Sequence, residues 1–367
     1  MSLKYPVYSP YLKGNEKKYI NDCIDSTWIS SKGKYIELFE NAFATYIDIP
    51  YATTVNNGTV ALHLALLAIK IKAGDEVIVP SFTYIASVNA ISYVGATPVF
   101  VESLKRNWQV DPEDIRRKIT LKTKAIMVVH LYGHPCDMDE IIAICNEHNL
   151  LLIEDCSEAI GSYYKKKHVG SFGDISTFSF FGNKTITTGE GGMVVSKYET
   201  YMDTVRKLKN QGNSNVQYWH DEIGYNYRMT NICAAIGLAQ LEQIETIIPL
   251  KKTIAQTYKT AFQNTDIEFH TEDSNIINSY WMCSCLIPKN INKQQLSDYL
   301  LEHGIETRPL FYPANEMPMY KKQNSETFYI AKELNERGLN LPSYPNLTET
   351  DVIFIANKLI DFVKQNG

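Results

Sequence analysis

Lys184 has surroundings that are unusual for a lysine. It lies in the segment FSFFGNKTITTGEGGMVVS, residues 178–196, between an aromatic run and a glycine-rich turn. An amine held among aromatic side chains has its charged form destabilised, so its pKa falls and it becomes a nucleophile that can form a Schiff base with an aldehyde. The alternative is a solvated lysine in a glycine turn, which this segment alone does not exclude.

A second group of residues lies where a strand-like run ends and the helix-like run GTVALHLALLAIK begins: Asn56, Asn57, Gly58 and Thr59. Glycine lets the backbone approach an anion closely, Thr59 adds a hydroxyl, and the free amides of a helix N-terminus attract a phosphate. The same residue types also cap helices that bind nothing. The segment therefore predicts either a phosphate site or a plain N-cap.

Two acids, Glu154 and Asp155, end the apolar run LLLIED. Acids are seldom buried without a partner. One interpretation is a metal site, but no cluster of further acids or histidines supports it, and we predict no metal. The others are a structural ion pair or cap, and a carboxylate that faces the protonated nitrogen of a heterocyclic cofactor.

Together the three groups fit pyridoxal 5′-phosphate (PLP). The residues at 58 and 59 would hold its phosphate, Asp155 its ring nitrogen and Lys184 its aldehyde carbon. Each group lies at the end of a predicted element, and parallel sheets bind ligands at the carboxyl ends of their strands.

The elements that position these groups follow an alternating pattern between residues 50 and 200. Short, nearly all-apolar strands alternate with helical segments, which predicts an α/β fold with a mainly parallel sheet covered by helices on both faces. A long helical segment follows from Asn231 to Phe262, interrupted at Pro249. The remainder predicts a smaller α+β domain, so we expect a large domain over residues 1–245, including an N-terminal arm, and a small domain over residues 246–367.

Composition excludes several functional classes. The 367 residues carry a net charge of −5, which gives no basic field for nucleic acid or anionic membranes. No apolar stretch has membrane-spanning length, and the first residues lack the apolar run of a signal peptide. Seven cysteines without framework spacing suggest reduced thiols. We therefore expect a cytoplasmic protein.

The ordered motifs NNGTVALHLAL, AGDEVIVPSFTYIAS, IEDCSEAIGS, SFFGNKTITTGEGGMV and GYNYRMTNICAAIGLAQL resemble those of the DegT/StrS family of sugar aminotransferases. The resemblance covers nearly the whole chain. It implies PLP as the cofactor and fold type I, the aspartate aminotransferase-like fold. It also implies a homodimer with shared active sites, which could pair further into a tetramer.

The resemblance assigns roles residue by residue. It implies that Lys184 forms the Schiff base, that Asp155 pairs with the ring nitrogen and that Glu158 contacts the ring hydroxyl. Tyr84 would stack on the ring, and Asn226 would reach the phosphate from the neighbouring subunit. The remaining cofactor-binding candidates are Asn57, Gly58, Thr59, Ser179 and Asn183. Phe181 occupies a place where many members have histidine, so no imidazole role transfers.

Within this family the segments FFGNKTITTGEGG and GIETRPLFYPANEMPMY most resemble members that move an amino group from L-glutamate to C4 of GDP-4-keto-6-deoxy-D-mannose, a step of surface polysaccharide (O-antigen) synthesis. Arg228, Arg308 and Tyr312 are candidates for binding a carboxylate or diphosphate. Trp28 is a candidate for packing on the sugar. Each has a structural alternative, namely a salt bridge, fold support or a place in the core.

Competing functions remain at this point. The first is amination of another dTDP- or UDP-linked keto sugar at C3 or C4. A pyridoxamine-dependent dehydratase is disfavoured because such relatives lack the Schiff-base lysine. A regulatory protein on the same fold, or a nucleotide-binding enzyme using NNGT alone, would leave Asp155 and Lys184 without a task.

Overall fold

The computed structural model describes residues 3–322 and 326–366. Its strands are β1 Tyr51–Val55, β2 Glu76–Pro80, β3 Thr97–Val101, β4 Thr123–Val129, β5 Leu151–Asp155, β6 Tyr163–Tyr164, β7 Lys167–His168, β8 Ile175–Ser179, β9 Gly192–Ser196, β10 Ile276–Ile277, β11 Cys283–Leu286, β12 Arg308–Pro309 and β13 Gly338–Leu341. Its helices are α1 Glu16–Asp25, α2 Lys34–Ile47, α3 Gly58–Ala68, α4 Ile85–Tyr93, α5 Pro112–Lys118, α6 Met138–His148, α7 Glu199–Lys209, α8 Asn231–Leu241, α9 Ile244–Phe262, α10 Lys293–Glu302, α11 Pro318–Lys321, α12 Tyr329–Arg337 and α13 Glu349–Asn366.

A seven-stranded sheet forms the centre of the larger part, in the order β1-β9-β8-β5-β4-β2-β3. Neighbouring strands are parallel except for β9, which runs antiparallel to both β1 and β8. Helices on both faces bury these strands, which explains their nearly continuous apolar runs. The predicted mainly parallel α/β sheet is confirmed.

The connection between β1 and α3 shows why the chain turns where it does. Asn57 has an extended backbone, and its side-chain Oδ1 accepts a hydrogen bond of 3.0 Å from the amide of Val60. Such a cap satisfies a donor that the first helical turn leaves open. Helix α3 is buried on nearly all sides because it packs on β8, β9, α4 and α7.

The expected interruption at Pro249 is wrong. The break in this helical segment lies at Glu242 and Gln243, and α9 runs through Pro249 from Ile244 to Phe262. Proline removes one backbone donor, but the buried side chains of Ile247, Ile248 and neighbouring positions hold α9 against the protein interior. Tertiary packing therefore outweighs the lost hydrogen bond.

The C-terminal part is built on the antiparallel sheet β11-β13-β12. Its core contains side chains from α9, α10 and α13, and also Tyr5 from the chain's N-terminal segment. The predicted boundary between residues 245 and 246 lies within α9 and stays a prediction. Among the described residues, no helix combines the length and the apolar character needed to cross a bilayer.

Candidate active site

A cavity of about 720 Å³ opens at the carboxyl ends of β5 and β8, whose last residues are Asp155 and Ser179. The sequence-predicted residues that line it are Asn57, Gly58, Thr59, Tyr84, Asp155, Glu158, Ser179, Asn183, Lys184 and Arg308. Parallel strands carry their ligand-binding residues at this edge. The structure thus brings the three groups of the sequence analysis into one space.

The Lys184 side chain points into this cavity and is only 13% exposed. Its Nζ lies 3.8 Å from Oε1 of Glu158 and 3.8 Å from the centre of the Trp281 ring. Burial lowers the pKa of the Lys184 amine, while the charges of Glu158 and Asp155 oppose this effect. The alternative of a solvated lysine is therefore excluded, and a partly desolvated amine is the state expected of a nucleophile.

Glu158 is buried beside this lysine. Its Oε2 accepts a hydrogen bond of 2.8 Å from the amide of Tyr132. Burial raises the pKa of the Glu158 carboxyl, and the positive charge of Lys184 acts against that rise. The two groups therefore titrate as a pair.

Asp155 and its neighbour Glu154 separate to opposite sides of β5, as the alternation of side chains along a strand requires. Asp155 faces the cavity, where its Oδ2 accepts a hydrogen bond of 2.8 Å from the Ser87 hydroxyl and its Oδ1 one of 3.0 Å from the amide of Ser157. Both carboxylate oxygens are thereby oriented. A fixed, buried acid suits a cationic ring nitrogen.

Glu154 has a structural role. Its Oε2 lies 3.0 Å from Nε2 of His130 and accepts from the amide of Gly170, and its Oε1 accepts from the amides of Phe172 and Gly173. With Cys156, these two side chains form a group within 4.8 Å whose atoms are types that bind metals. Hydrogen bonds already use both oxygens of Glu154, and Nδ1 of His130 accepts one from the amide of Cys136. The arrangement is a satisfied buried network.

The start of α3 fits a phosphate. A Cβ added to Gly58 would lie 2.7 Å from Cβ of Ser179, so a larger residue would press on the end of β8. Amides in the first turn of a helix have no intrahelical partner and attract anions. The N-cap interpretation is correct for Asn57, and it leaves the amides of Gly58 and Thr59 available at the cavity.

The loop that carries Lys184 contains a buried polar atom without a hydrogen-bond partner. Asn183 Oδ1 is buried without a hydrogen-bond partner in the structure. The backbone carbonyl of Asn183, by contrast, accepts a hydrogen bond of 2.7 Å from the indole of Trp281. A buried orphan acceptor at the cavity is consistent with a bound ligand that donates to it.

Four predicted residues do not line this cavity: Asn226, Arg228, Trp28 and Tyr312. Asn226 Oδ1 accepts hydrogen bonds of 3.3 and 3.0 Å from Nε and Nη2 of Arg228. Arg228 also donates to Asn210 and borders a separate cavity of about 220 Å³. Trp28 and Tyr312 are 55% and 59% exposed. The roles of these residues stay predictions, and within one chain they do not meet Lys184.

Sequence reasoning missed Ser87, Trp281 and Tyr227, which also line the cavity. Ser87 lies in the motif SFTYIAS, but only the fold shows that its hydroxyl meets Asp155. Trp281 belongs to an apolar strand-like segment that carries no chemical signal. The contact of Ser87 with Asp155 joins residues 68 positions apart in the chain, and that of Trp281 with Asn183 joins residues 98 positions apart.

Comparison with known proteins agrees with this geometry. The family model described as the DegT/DnrJ/EryC1/StrS aminotransferase family matches residues 10–360. GDP-perosamine synthase from Escherichia coli O157:H7 is 58% identical over 98% of this chain and 99% of the relative. The same-named protein of Vibrio cholerae is 52% identical over 96% of this chain and 97% of its own. Spr1654 from Streptococcus pneumoniae, solved in its PLP form, has a TM-score of 0.94 at 25% identity, with 99% of both chains covered. This chain therefore belongs to the DegT/DnrJ/EryC1/StrS aminotransferase family.

Proposed function

We propose that this chain is a PLP-dependent aminotransferase that moves an amino group from L-glutamate to the C4 keto group of GDP-4-keto-6-deoxy-D-mannose, giving GDP-perosamine for surface polysaccharide (O-antigen) synthesis. The observation that carries the proposal is one cavity in which Lys184, Asp155 and the α3 N-terminus converge. The sugar follows from three GDP-perosamine synthases that are 45–58% identical over nearly the full length.

The residues of the cavity divide the task of holding the cofactor. The amides of Gly58 and Thr59, with the Ser179 hydroxyl, would bind its phosphate. Asp155, oriented by Ser87, would pair with its ring nitrogen, and Tyr84 would cover its ring. When bound, the cofactor supplies an aldehyde that accepts an amine and a ring that withdraws electrons from the amino acid's Cα.

Lys184 has two tasks in this proposal. In the resting enzyme its Nζ would hold the cofactor through the aldehyde carbon. When free of the cofactor, this Nζ would carry the proton from the donor's Cα to the cofactor carbon that bears the nitrogen, and in the second half of the reaction it would carry a proton from that carbon to C4 of the sugar. The lowered pKa of Lys184 suits both tasks, because a neutral amine is required to bond the aldehyde carbon and also to accept a proton.

Among the described residues that line the cavity, Arg308 is the cation besides Lys184, and it is free to meet the substrate. Its Nε and Nη2 each lie 3.1 Å from Oε1 of Glu306, which fixes the direction of the guanidinium. A planar, oriented guanidinium matches a carboxylate or a diphosphate. We propose that Arg308 binds the carboxylate of glutamate or the diphosphate of the nucleotide sugar.

A homodimer with shared sites is also part of the proposal. Large apolar side chains cluster in the segment before Asn226 and are strongly exposed in the single chain: Val216, Tyr218, Trp219 and Ile223. Such a patch favours burial against another protein surface. In a dimer that buries this patch, Asn226 would reach the phosphate in the neighbour's cavity, which is the role that the family resemblance implies.

We place the enzyme in the cytoplasm, since its seven cysteines are unpaired.

The test is direct assay of the purified protein with PLP and L-glutamate against a panel of nucleotide-linked 4-keto and 3-keto sugars. We expect conversion of the GDP-linked 4-keto-6-deoxy sugar, with mass and NMR spectra that place the new amine at C4. Amination at C3, or turnover only with a dTDP- or UDP-linked sugar, would overturn the substrate assignment and leave the aminotransferase class intact.

A further inference from the structure

The peptide backbone around Lys184 is held from outside its own loop. The carbonyl of Asn183 accepts a hydrogen bond from the Trp281 indole, and the carbonyl of Lys184 accepts one from the Tyr8 hydroxyl. Within the loop, the Lys184 amide donates 2.9 Å to the carbonyl of Phe181. The two outside donors lie 98 and 176 positions away in the chain. Their contacts are therefore products of the tertiary fold.

Tyr8 belongs to a segment, residues 4–8, that we call the N-terminal strap. The amides of Lys4 and Tyr5 donate hydrogen bonds of 2.9 and 2.8 Å to the carbonyl of Gly304. The Val7 carbonyl accepts a hydrogen bond of 3.1 Å from the amide of Ser343. Tyr5 is buried in the C-terminal core, whereas Val7 is buried in the core of the large sheet. The strap thus crosses from one core to the other and ends at the Lys184 loop.

The strap also contacts the carboxylate that orients Arg308. The amide of Val7 donates 2.8 Å to Oε2 of Glu306, whose Oε1 holds the Arg308 guanidinium. Tyr8 and Val7 are consecutive, so one short segment contacts both the lysine loop and the carboxylate that orients the cavity's arginine. A shift of the strap would move both together.

We propose that the N-terminal strap positions Lys184 through the hydrogen bond from Tyr8, which makes Tyr8 a positioning residue for the reaction. This inference rests on the proposed function, in which the Lys184 amine leaves the cofactor and must return to the same place. A lysine side chain has many rotamers, so its reach is reproducible only if its backbone is fixed. A displacement of about 1 Å costs about 100-fold in rate.

The test compares Tyr8→Phe with the matched control Tyr5→Phe. Both changes remove one hydroxyl from the strap, but the Tyr5 hydroxyl bonds Asp351 at 3.0 Å and does not contact the lysine loop. Three properties are measured: the pH at which the visible absorbance of the PLP-bound enzyme titrates, kcat and KM for the sugar, and the pH dependence of acylation at Lys184 in the cofactor-free protein, read by mass spectrometry.

We expect Tyr8→Phe to shift both titrations and to lower kcat about tenfold with KM within about twofold, while Tyr5→Phe follows the wild type. Equal behaviour of the two variants, whether both match the wild type or both lose activity with a lower Tm, would overturn the positioning role. If the wild type itself shows no PLP absorbance, the proposed function fails. The acylation profile of the cofactor-free protein still decides the role of Tyr8 in that case.

Discussion

The amine of Lys184 lies 3.8 Å from Oε1 of Glu158, and the two side chains are only 13% and 3% exposed. The site disfavours both charged forms because it is shielded from water, and each charge lowers the free-energy cost of burying the other. Burial lowers the pKa of Lys184 and raises that of Glu158, and the attraction between the pair opposes both shifts. The reactivity of the lysine is therefore set partly by a residue that performs no bond chemistry.

Replacement of Glu158 by glutamine should lower the pKa of Lys184 further. The negative charge that favours the ammonium form is lost, whereas the acceptor for the Tyr132 amide can be kept. In cofactor-free protein, the midpoint of acylation at Lys184 should move to lower pH by about one unit. Glu190→Gln removes the same charge from an exposed position that also lines the cavity, and should shift the midpoint less. An unchanged or raised midpoint in Glu158→Gln would contradict the pairing.

Lys184→Ala and Lys184→Arg separate the covalent role of the lysine from its charge. Both variants should lose turnover by about 10³-fold or more, because neither has a primary amine to bond the cofactor or carry the proton. Asp155 and the Gly58 region remain, so both should still bind PLP. Borohydride treatment followed by peptide mass spectrometry should fix the cofactor on residue 184 in the wild type alone. Substantial turnover by either variant would remove the lysine from the mechanism.

The strands of the central sheet were predictable because each is a short apolar run. Residues 151–155 show the limit of that prediction. The sequence places Glu154 and Asp155 side by side, and strand alternation sends them to opposite faces, but it does not say which face carries the cavity. That choice depends on His130 and the turn at residues 170–173, which enclose Glu154.

The contacts that position Lys184 could not be predicted from local pattern. Tyr8 lies in a segment without strong periodicity, and Trp281 in an ordinary apolar strand-like run. Their hydrogen bonds to the lysine loop form only when the N-terminal strap and the C-terminal part pack against the large sheet. Conversely, Pro249 is a strong local signal for a break, and packing of α9 overrides it. The types and local order of residues identified the reactive side chains, whereas the hydrogen bonds that hold the Lys184 loop in place depend on tertiary packing.

Gly58→Ala tests the phosphate-binding end of the cavity. A Cβ at this position would lie 2.7 Å from Cβ of Ser179, so the start of α3 and the end of β8 must move apart. Overpacking of this kind costs about 1–3 kcal/mol, and the movement that relieves it would displace the amides of Gly58 and Thr59, so we expect PLP affinity to fall about tenfold. Gly182→Ala is the matched control because its nearest contact would be an ordinary 3.9 Å. Affinities from cofactor titration that are equal in the two variants would place the phosphate elsewhere.

Lys251 provides a stability prediction away from the cavity. This α9 lysine is 1% exposed and donates 2.7 Å to the carbonyl of Ser343, and burial lowers its pKa to about 7. Between that pH and the ordinary lysine pKa of about 10.4, the unfolded chain holds a proton that the folded chain has released. The free energy of unfolding should therefore rise with pH across this window, with a contribution of up to about 1.4 kcal/mol per pH unit from Lys251.

Lys251→Met should remove this contribution, because methionine fills a similar volume and carries no proton. Urea unfolding of the wild type and the variant at fixed protein concentration, between pH 7 and pH 9.5, measures the difference in slope. Lys17→Met, at an exposed position of α1, controls for the loss of a lysine and should keep the wild-type slope. Parallel stability curves for the wild type and Lys251→Met would show that Lys251 stays protonated when buried. Its hydrogen bond to Ser343 would then be that of an ammonium group.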